Sequence, residues 1–106
     1  MLPFIEKIIY RKADKLYFRF EDGLIKVIDK KTIIKDMPDW QIKIVNERWD
    51  KVKISEGCLY FNKTLEIGGD SIYHLSKELS REELFEIIQN KRIAKKKIIQ
   101  ALASLL

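Results

Sequence analysis

The chain is poor in the residues that stabilise small domains covalently or hold metals: its 106 residues include one cysteine, Cys58, and one histidine. A single cysteine excludes an internal disulfide and a zinc site built from several cysteines. Its apolar runs are only a few residues long, far below the roughly 20 residues of a membrane-spanning helix. The start of the chain lacks the basic region, apolar region and cleavage site of an export signal, so we expect a cytoplasmic protein without a membrane partner.

Apolar residues make up 46% of the chain and charged residues 35%, a balance typical of one folded domain of this length. The net charge is +5, and residues 80–106 carry six basic and three acidic side chains. This excess favours nucleic acid or an acidic protein as a partner, although a mixed surface with a modest excess also serves solubility.

Strand patterns dominate the first two thirds of the chain. Two runs of aromatic and β-branched residues flank Asp22-Gly23, which is typical of a hairpin with a type I′ turn. The residues expected on its core face are Leu16, Phe18, Phe20, Ile25 and Val27. Residues 4–11 supply a preceding strand, and residues 51–61 a second hairpin. We therefore predict an α+β fold with a small antiparallel meander of about five strands, short helices and a C-terminal helical extension.

The helical patterns are short until the end of the domain. Thr32 is expected to cap a short helix that Pro38 ends, whereas residues 40–49 fit strand and helix periodicity equally and are predicted to be irregular. Asp70 or Ser71 is expected to cap another short helix, with Ile72, Leu75 and Leu79 on one face.

The C-terminal segment is predicted to be a basic helix or helix pair over residues 80–106, attached to an α+β domain of residues 1–79. Ser80 and Glu83 match a capping box, and no glycine or proline follows. Like charges recur here at helical spacing, at Lys91, Arg92, Lys95, Lys96 and Lys97. Nucleic-acid phosphates or an acidic protein would relieve their repulsion, and a solvated face is the alternative.

Apolar candidates for a partner surface lie in two places. Trp40 and Trp49 would be strong anchors for a protein partner if exposed, and otherwise they close the open end of the sheet. The stripe expected to dock on the sheet, on a partner or on a second copy consists of Ile98, Ile99, Leu102 and Leu105.

Residues with chemical reactivity are sparse. His74 follows Asp70 by four residues and would suit an acid–base pair or a two-ligand metal site, but a helix cap beside an exposed histidine explains the same spacing. Burial of Cys58 in a strand would raise its pKa and silence it. We therefore predict no catalytic residues, no metal and no cofactor.

Several motifs together resemble a bacterial family known as domain of unknown function 2442 (DUF2442), over about residues 4–75. The motifs are Phe18-Arg-Phe-Glu-Asp-Gly23, Val27-Ile-Asp29, Trp49-Asp-Lys-Val-Lys-Ile54, Leu59-Tyr-Phe61 and Ile67-Gly-Gly-Asp-Ser-Ile-Tyr73. The resemblance implies an α+β domain without assigned catalytic residues. Members often sit beside genes for another small protein, an arrangement interpreted as a toxin–antitoxin pair, and some carry a C-terminal helix-turn-helix. This favours a protein-binding or regulatory module, with a nucleic-acid-binding regulator as the alternative.

Overall fold

The computed structural model of the chain describes residues 3–89, and it confirms the α+β class. The strands in this range are β1 (Ile5–Lys12), β2 (Lys15–Phe20), β3 (Ile25–Asp29), β4 (Lys53–Ser55), β5 (Cys58–Asn62), β6 (Leu65–Ile67) and β7 (Lys77–Glu78). The helices are α1 (Lys30–Ile34), α2 (Asp39–Arg48), α3 (Gly69–Leu75) and α4 (Arg81–Gln89), with a 3₁₀ turn at Trp49–Lys51. None of these helices is both long and apolar enough to cross a membrane.

The strands form two antiparallel sheets rather than one. The first sheet has the order β1-β2-β3-β7, and the second has the order β4-β5-β6. The predicted second hairpin is present, but it forms its own sheet with β6 instead of extending the meander. A hydrogen bond from the Ile5 amide to the Gly57 carbonyl oxygen, 3.3 Å long, links the two sheets.

The central hairpin turns where the sequence predicts, but its loop is one residue longer. The Phe20 amide donates to the Leu24 carbonyl oxygen at 3.0 Å, and Gly23 has a φ of 88° while Asp22 keeps a negative φ. The Asp22 carboxylate accepts the Leu24 amide at 3.0 Å. This Asx turn stabilises a three-residue loop with glycine in the left-handed position, so the type I′ prediction is wrong.

The longer loop exchanges the two faces of β3. Leu16 now lies opposite Ile28 and contributes with it to the main core, whereas Ile25 turns to the other face beside Tyr17. That second face is also covered, because Leu84 and Ile87 of α4 pack on it. The expected core face was therefore right for β2 and wrong for β3.

The main core lies between the first sheet, the second sheet and helices α1 to α3. Its buried members are Ile5, Leu16, Phe18, Phe20, Ile28, Ile33, Val45, Trp49, Val52, Leu59, Phe61, Leu65 and Ile72. Burial of this set is the main source of stability, since each large apolar side chain contributes roughly 1.5–3 kcal/mol when it leaves water.

Helix α2 replaces the irregular segment that the sequence predicts at residues 40–49. Pro38 directly precedes it with an extended ψ of 157°, which suits the residue before a helix. Val45 is fully buried in the core, so tertiary packing settles the choice between helix and strand in favour of the helix.

The remaining helix starts lie two or three residues earlier than expected. Helix α1 begins at Lys30 rather than after Thr32. Helix α3 follows Gly68, and the Asp70 carboxylate accepts the Ser71 amide instead of capping from outside the helix. Leu79 follows β7 and lies outside α3, on the face covered by α4.

The Ser80 N-cap at the start of α4 is confirmed, but the Glu83 carboxylate pairs with the Ser80 hydroxyl instead of the Ser80 amide that a capping box predicts. The Ser80 hydroxyl oxygen accepts the Glu83 amide at 3.2 Å, and the same hydroxyl donates to the Glu83 carboxylate at 3.2 Å. Leu84 and Ile87 then dock this helix on the first sheet with 1% and 4% exposure. The rest of the predicted C-terminal helix lies outside the described residues.

Candidate functional site

Trp40 is an exposed aromatic residue on a helix that is fixed to the core. Its side chain is 54% exposed, near the start of α2. Val45, later in the same helix, is completely buried, which holds α2 in place. The predicted role of Trp40 in binding a partner therefore has the exposed surface that it requires.

Trp49 occupies the opposite environment. It is 6% exposed, and its indole N–H donates to the Ala13 carbonyl oxygen at 3.0 Å. The Lys30 ammonium lies 5.5 Å from the centroid of the Trp49 ring, within range of a cation–π interaction. Trp49 joins the 3₁₀ turn to the β1–β2 turn, which corrects its assignment to an exposed partner surface and agrees with the alternative of a packing role.

The other predicted contact residues fall after Gln89, outside the described residues. They are the apolar residues Ile98, Ile99, Leu102 and Leu105, and the basic residues Lys91, Arg92, Lys95, Lys96 and Lys97. Their roles in binding a protein or nucleic acid stay predictions.

The reactive residues are not assembled into a site. His74 is exposed on α3, and the Asp70 carboxylate is hydrogen-bonded to the Ser71 amide. Burial raises the pKa of the Cys58 thiol, which makes it a poorer nucleophile. Within residues 3–89 no cluster of three or more histidine, cysteine, aspartate and glutamate side chains could hold a metal ion.

A cleft of about 380 Å³ lies between α4 and the β1–β2 hairpin. Tyr10 and Tyr17 line it, with their rings in an edge-to-face pair 5.3 Å apart. Burial and the nearby Glu83 carboxylate raise the pKa of Tyr17. An ion pair of 3.4 Å between Lys12 and Glu86 lies among its lining residues, so charges of both signs line the cleft.

A second, more open groove of about 470 Å³ has a strongly basic lining. It lies where the end of α2, the 3₁₀ turn, β4 and the β5–β6 turn meet. We call it the basic groove, and its charged and ring-bearing lining residues are Arg48, Lys51, Lys53, Lys63, Tyr60 and Phe61. Among residues 3–89, no acidic residue lines it.

The four cations of the basic groove have no ion pair within the part of the chain that the structure describes. Some basic residues elsewhere are paired: Arg19 lies 2.9 Å from Glu6, and Lys30 lies 3.4 Å from Asp14. Arg48, Lys51, Lys53 and Lys63 are all exposed. They therefore present positive charge to solvent without a compensating carboxylate.

An aromatic ring lies among these cations. Lys53 is directly opposite Tyr60 in the β4–β5 pair, and its ammonium is 5.3 Å from the ring centroid. The Asn62 side chain accepts the amides of Thr64 and Leu65, each at 2.9 Å, which orders the turn that carries Lys63. The turn that carries Lys63 is thus fixed by the Asn62 side chain.

Glu66 lies on β6, directly opposite Tyr60 of β5. Tyr60 therefore stands between Glu66 and Lys53 of β4. Burial is the largest cause of the raised pKa of the Cys58 thiol, and the Glu66 carboxylate beside the thiol raises that pKa further. Glu66 thus interacts with Cys58 and does not line the basic groove.

The sequence analysis missed the basic groove, although the sequence alone could have placed two of its residues together. A two-residue turn at Glu56-Gly57 places Lys53 opposite Tyr60 by register alone. Lys63 follows β5 directly, in the turn to β6, and Arg48 reaches Tyr60 because α2 packs beside β5.

No protein-family model matches the chain, and no curated protein or solved structure matches it.

Proposed function

We propose that this protein is a non-enzymatic, antitoxin-like regulatory module that binds a protein partner. In the described residues its contact surface is centred on Trp40, and the predicted C-terminal helix completes it. The observation that carries this proposal is the 54% exposure of Trp40 on the fixed helix α2.

Exposed tryptophan on a rigid helix suits a binding surface for two physical reasons. Its large apolar area leaves water on association, at about 25 cal/mol per Å². The helix is already ordered by Val45, so little backbone entropy is lost on binding. Tryptophan is also among the residues that most often dominate interface energies.

The resemblance to DUF2442 supports a small protein encoded by a neighbouring gene as the partner. Genes of that family often neighbour a gene for another small protein, and we propose that the equivalent neighbour encodes the partner of this chain. The apolar C-terminal stripe would then add to the contact, at Ile98, Ile99, Leu102 and Leu105.

Co-expression of the full chain with the neighbouring gene product tests this function. Titration calorimetry of the two purified proteins should show a stoichiometric complex, and Trp40→Ala should raise Kd by about 30-fold or more, the equivalent of about 2 kcal/mol. Leu75→Ala is the matched control, because Leu75 is 47% exposed on another helix. Absence of a complex, or equal Kd values for wild type and Trp40→Ala, would contradict the proposal.

The alternative function is a nucleic-acid-binding regulator that uses the basic C-terminal residues. Neutralising Lys91, Lys95 and Lys96 should then weaken nucleic-acid binding and flatten its dependence on salt.

A further inference from the structure

The cations of the basic groove are spread over four structural elements. Arg48 ends α2, Lys51 and Lys53 lie on the 3₁₀ turn and β4, and Lys63 lies in the β5–β6 turn. All four are exposed, so they do not converge on one buried point. Such a distribution suits an extended polyanion with several charges better than a single small anion.

Tyr60 adds a second kind of contact to this groove. Its ring is half-buried, and it lies in the same row of the sheet as Lys53. A groove that combines cations with an aromatic ring matches how proteins bind single-stranded nucleic acid, with phosphates on the cations and a base stacked on the ring.

We propose that the basic groove binds single-stranded nucleic acid, with its phosphates on Arg48, Lys51, Lys53 and Lys63 and a base on Tyr60. This site is separate from the Trp40 surface and from the basic C-terminal residues. A base must be unstacked to reach Tyr60, which favours a single strand over a duplex. An acidic peptide would satisfy the cations but has no base to place on the ring.

Fluorescence anisotropy with the full chain and a labelled oligothymidylate of about 12 nucleotides tests the site. Each phosphate neutralised in a single strand contributes about −0.7 to the slope of log K against log salt. Four contacts in the groove therefore contribute about −2.8 to this slope. Such a slope corresponds to roughly 50-fold weaker binding at about 200 mM salt than at about 50 mM salt.

The variant Lys51→Ala/Lys53→Ala/Lys63→Ala should bind at least tenfold more weakly and reduce the magnitude of the salt slope by about 2. Its matched control is Lys31→Ala/Lys35→Ala/Lys77→Ala, which removes the same charge from exposed lysines outside the groove. The control should change affinity by less than about threefold. Unchanged thermal midpoints of both variants verify that each retains its fold.

Substitution of the ring separates stacking from charge. Tyr60→Ala should weaken binding by about fivefold or more, whereas Tyr60→Phe should bind like the wild type, because stacking needs the ring and not the hydroxyl. An equal loss in the two triple lysine variants would overturn the site. So would tighter binding of a duplex than of the single strand, or equally strong competition by a polyglutamate peptide.

Discussion

The carbonyl oxygen of Gly57 packs against Gly69, in the space that a Cβ atom on Gly69 would occupy. The same carbonyl accepts the amide of Ile5 at 3.3 Å. The turn between β4 and β5, the start of α3 and the edge of β1 thus meet at one backbone atom. This close approach gives Gly69 a specific structural role that its neighbour Gly68 does not have.

We expect the two adjacent glycines to respond differently to alanine. Gly69→Ala should lower the free energy of unfolding by about 2–4 kcal/mol, because a backbone atom must move. Gly68→Ala should change it by less than about 1 kcal/mol, since its Cβ would meet the movable carboxylate of Asp70 at 2.7 Å and its φ of −59° suits alanine. Urea unfolding measures both, and equal effects would contradict the close contact.

Lys26 is a buried cation whose partners are a carbonyl oxygen and two aromatic rings, those of Tyr73 and, at 6.0 Å, Phe20. It is 8% exposed, donates to the Tyr73 carbonyl oxygen at 2.7 Å and lies 3.8 Å from the centroid of the Tyr73 ring. Lys26→Ala should lower the free energy of unfolding by about 2 kcal/mol. The exposed Lys77 serves as control, and Lys77→Ala should cost under about 0.5 kcal/mol. If Lys26→Met were as stable as the wild type, packing of the apolar part of the side chain would account for the whole stabilisation, and the contacts of the ammonium would contribute nothing.

Tyr73 should make stability depend on alkaline pH. Its hydroxyl donates to the Asp22 carboxylate at 2.9 Å, and this hydrogen bond, with burial second, raises the pKa of Tyr73. A raised pKa in the folded state means that the stabilisation is complete below the ordinary value of about 10 and is lost as pH rises through the folded pKa.

Tyr73→Phe should therefore lose less stability than the wild type between about pH 9 and pH 11. Tyr17, whose pKa burial also raises, keeps the remaining dependence in the variant. Thermal unfolding across this pH range provides the comparison, and identical profiles for wild type and Tyr73→Phe would argue against the hydrogen bond.

Ser80→Ala should destabilise the attachment of α4. The substitution removes both hydrogen bonds of the Ser80 hydroxyl and should lower the free energy of unfolding by about 1 kcal/mol. Ser71→Ala, at an exposed position of α3, should have a smaller effect. Chemical unfolding measures the difference, and a Ser80→Ala variant as stable as the wild type would show that the cap contributes nothing.

The exposure of the two tryptophans is a property that the sequence pattern could not predict. Trp40 and Trp49 are equivalent in sequence terms, since both are large apolar residues in an ambiguous segment. One is more than half exposed and the other is 6% exposed. The difference arises because Trp49 faces the β1–β2 turn, 36 residues earlier in the chain, where Ala13 accepts its indole N–H.

The sequence by itself determined the α+β class, the place of the central hairpin and the N-cap at Ser80, because these depend on propensities and hydrogen bonds within a few residues. The face of β3 that meets the main core depends on the hairpin loop, which has three residues where the pattern predicts two. Tertiary structure alone decided that α2 is a helix and that Arg48 lies near Tyr60. Both depend on packing between separate elements of the chain, and that packing energy exceeds the small local preferences that the pattern records.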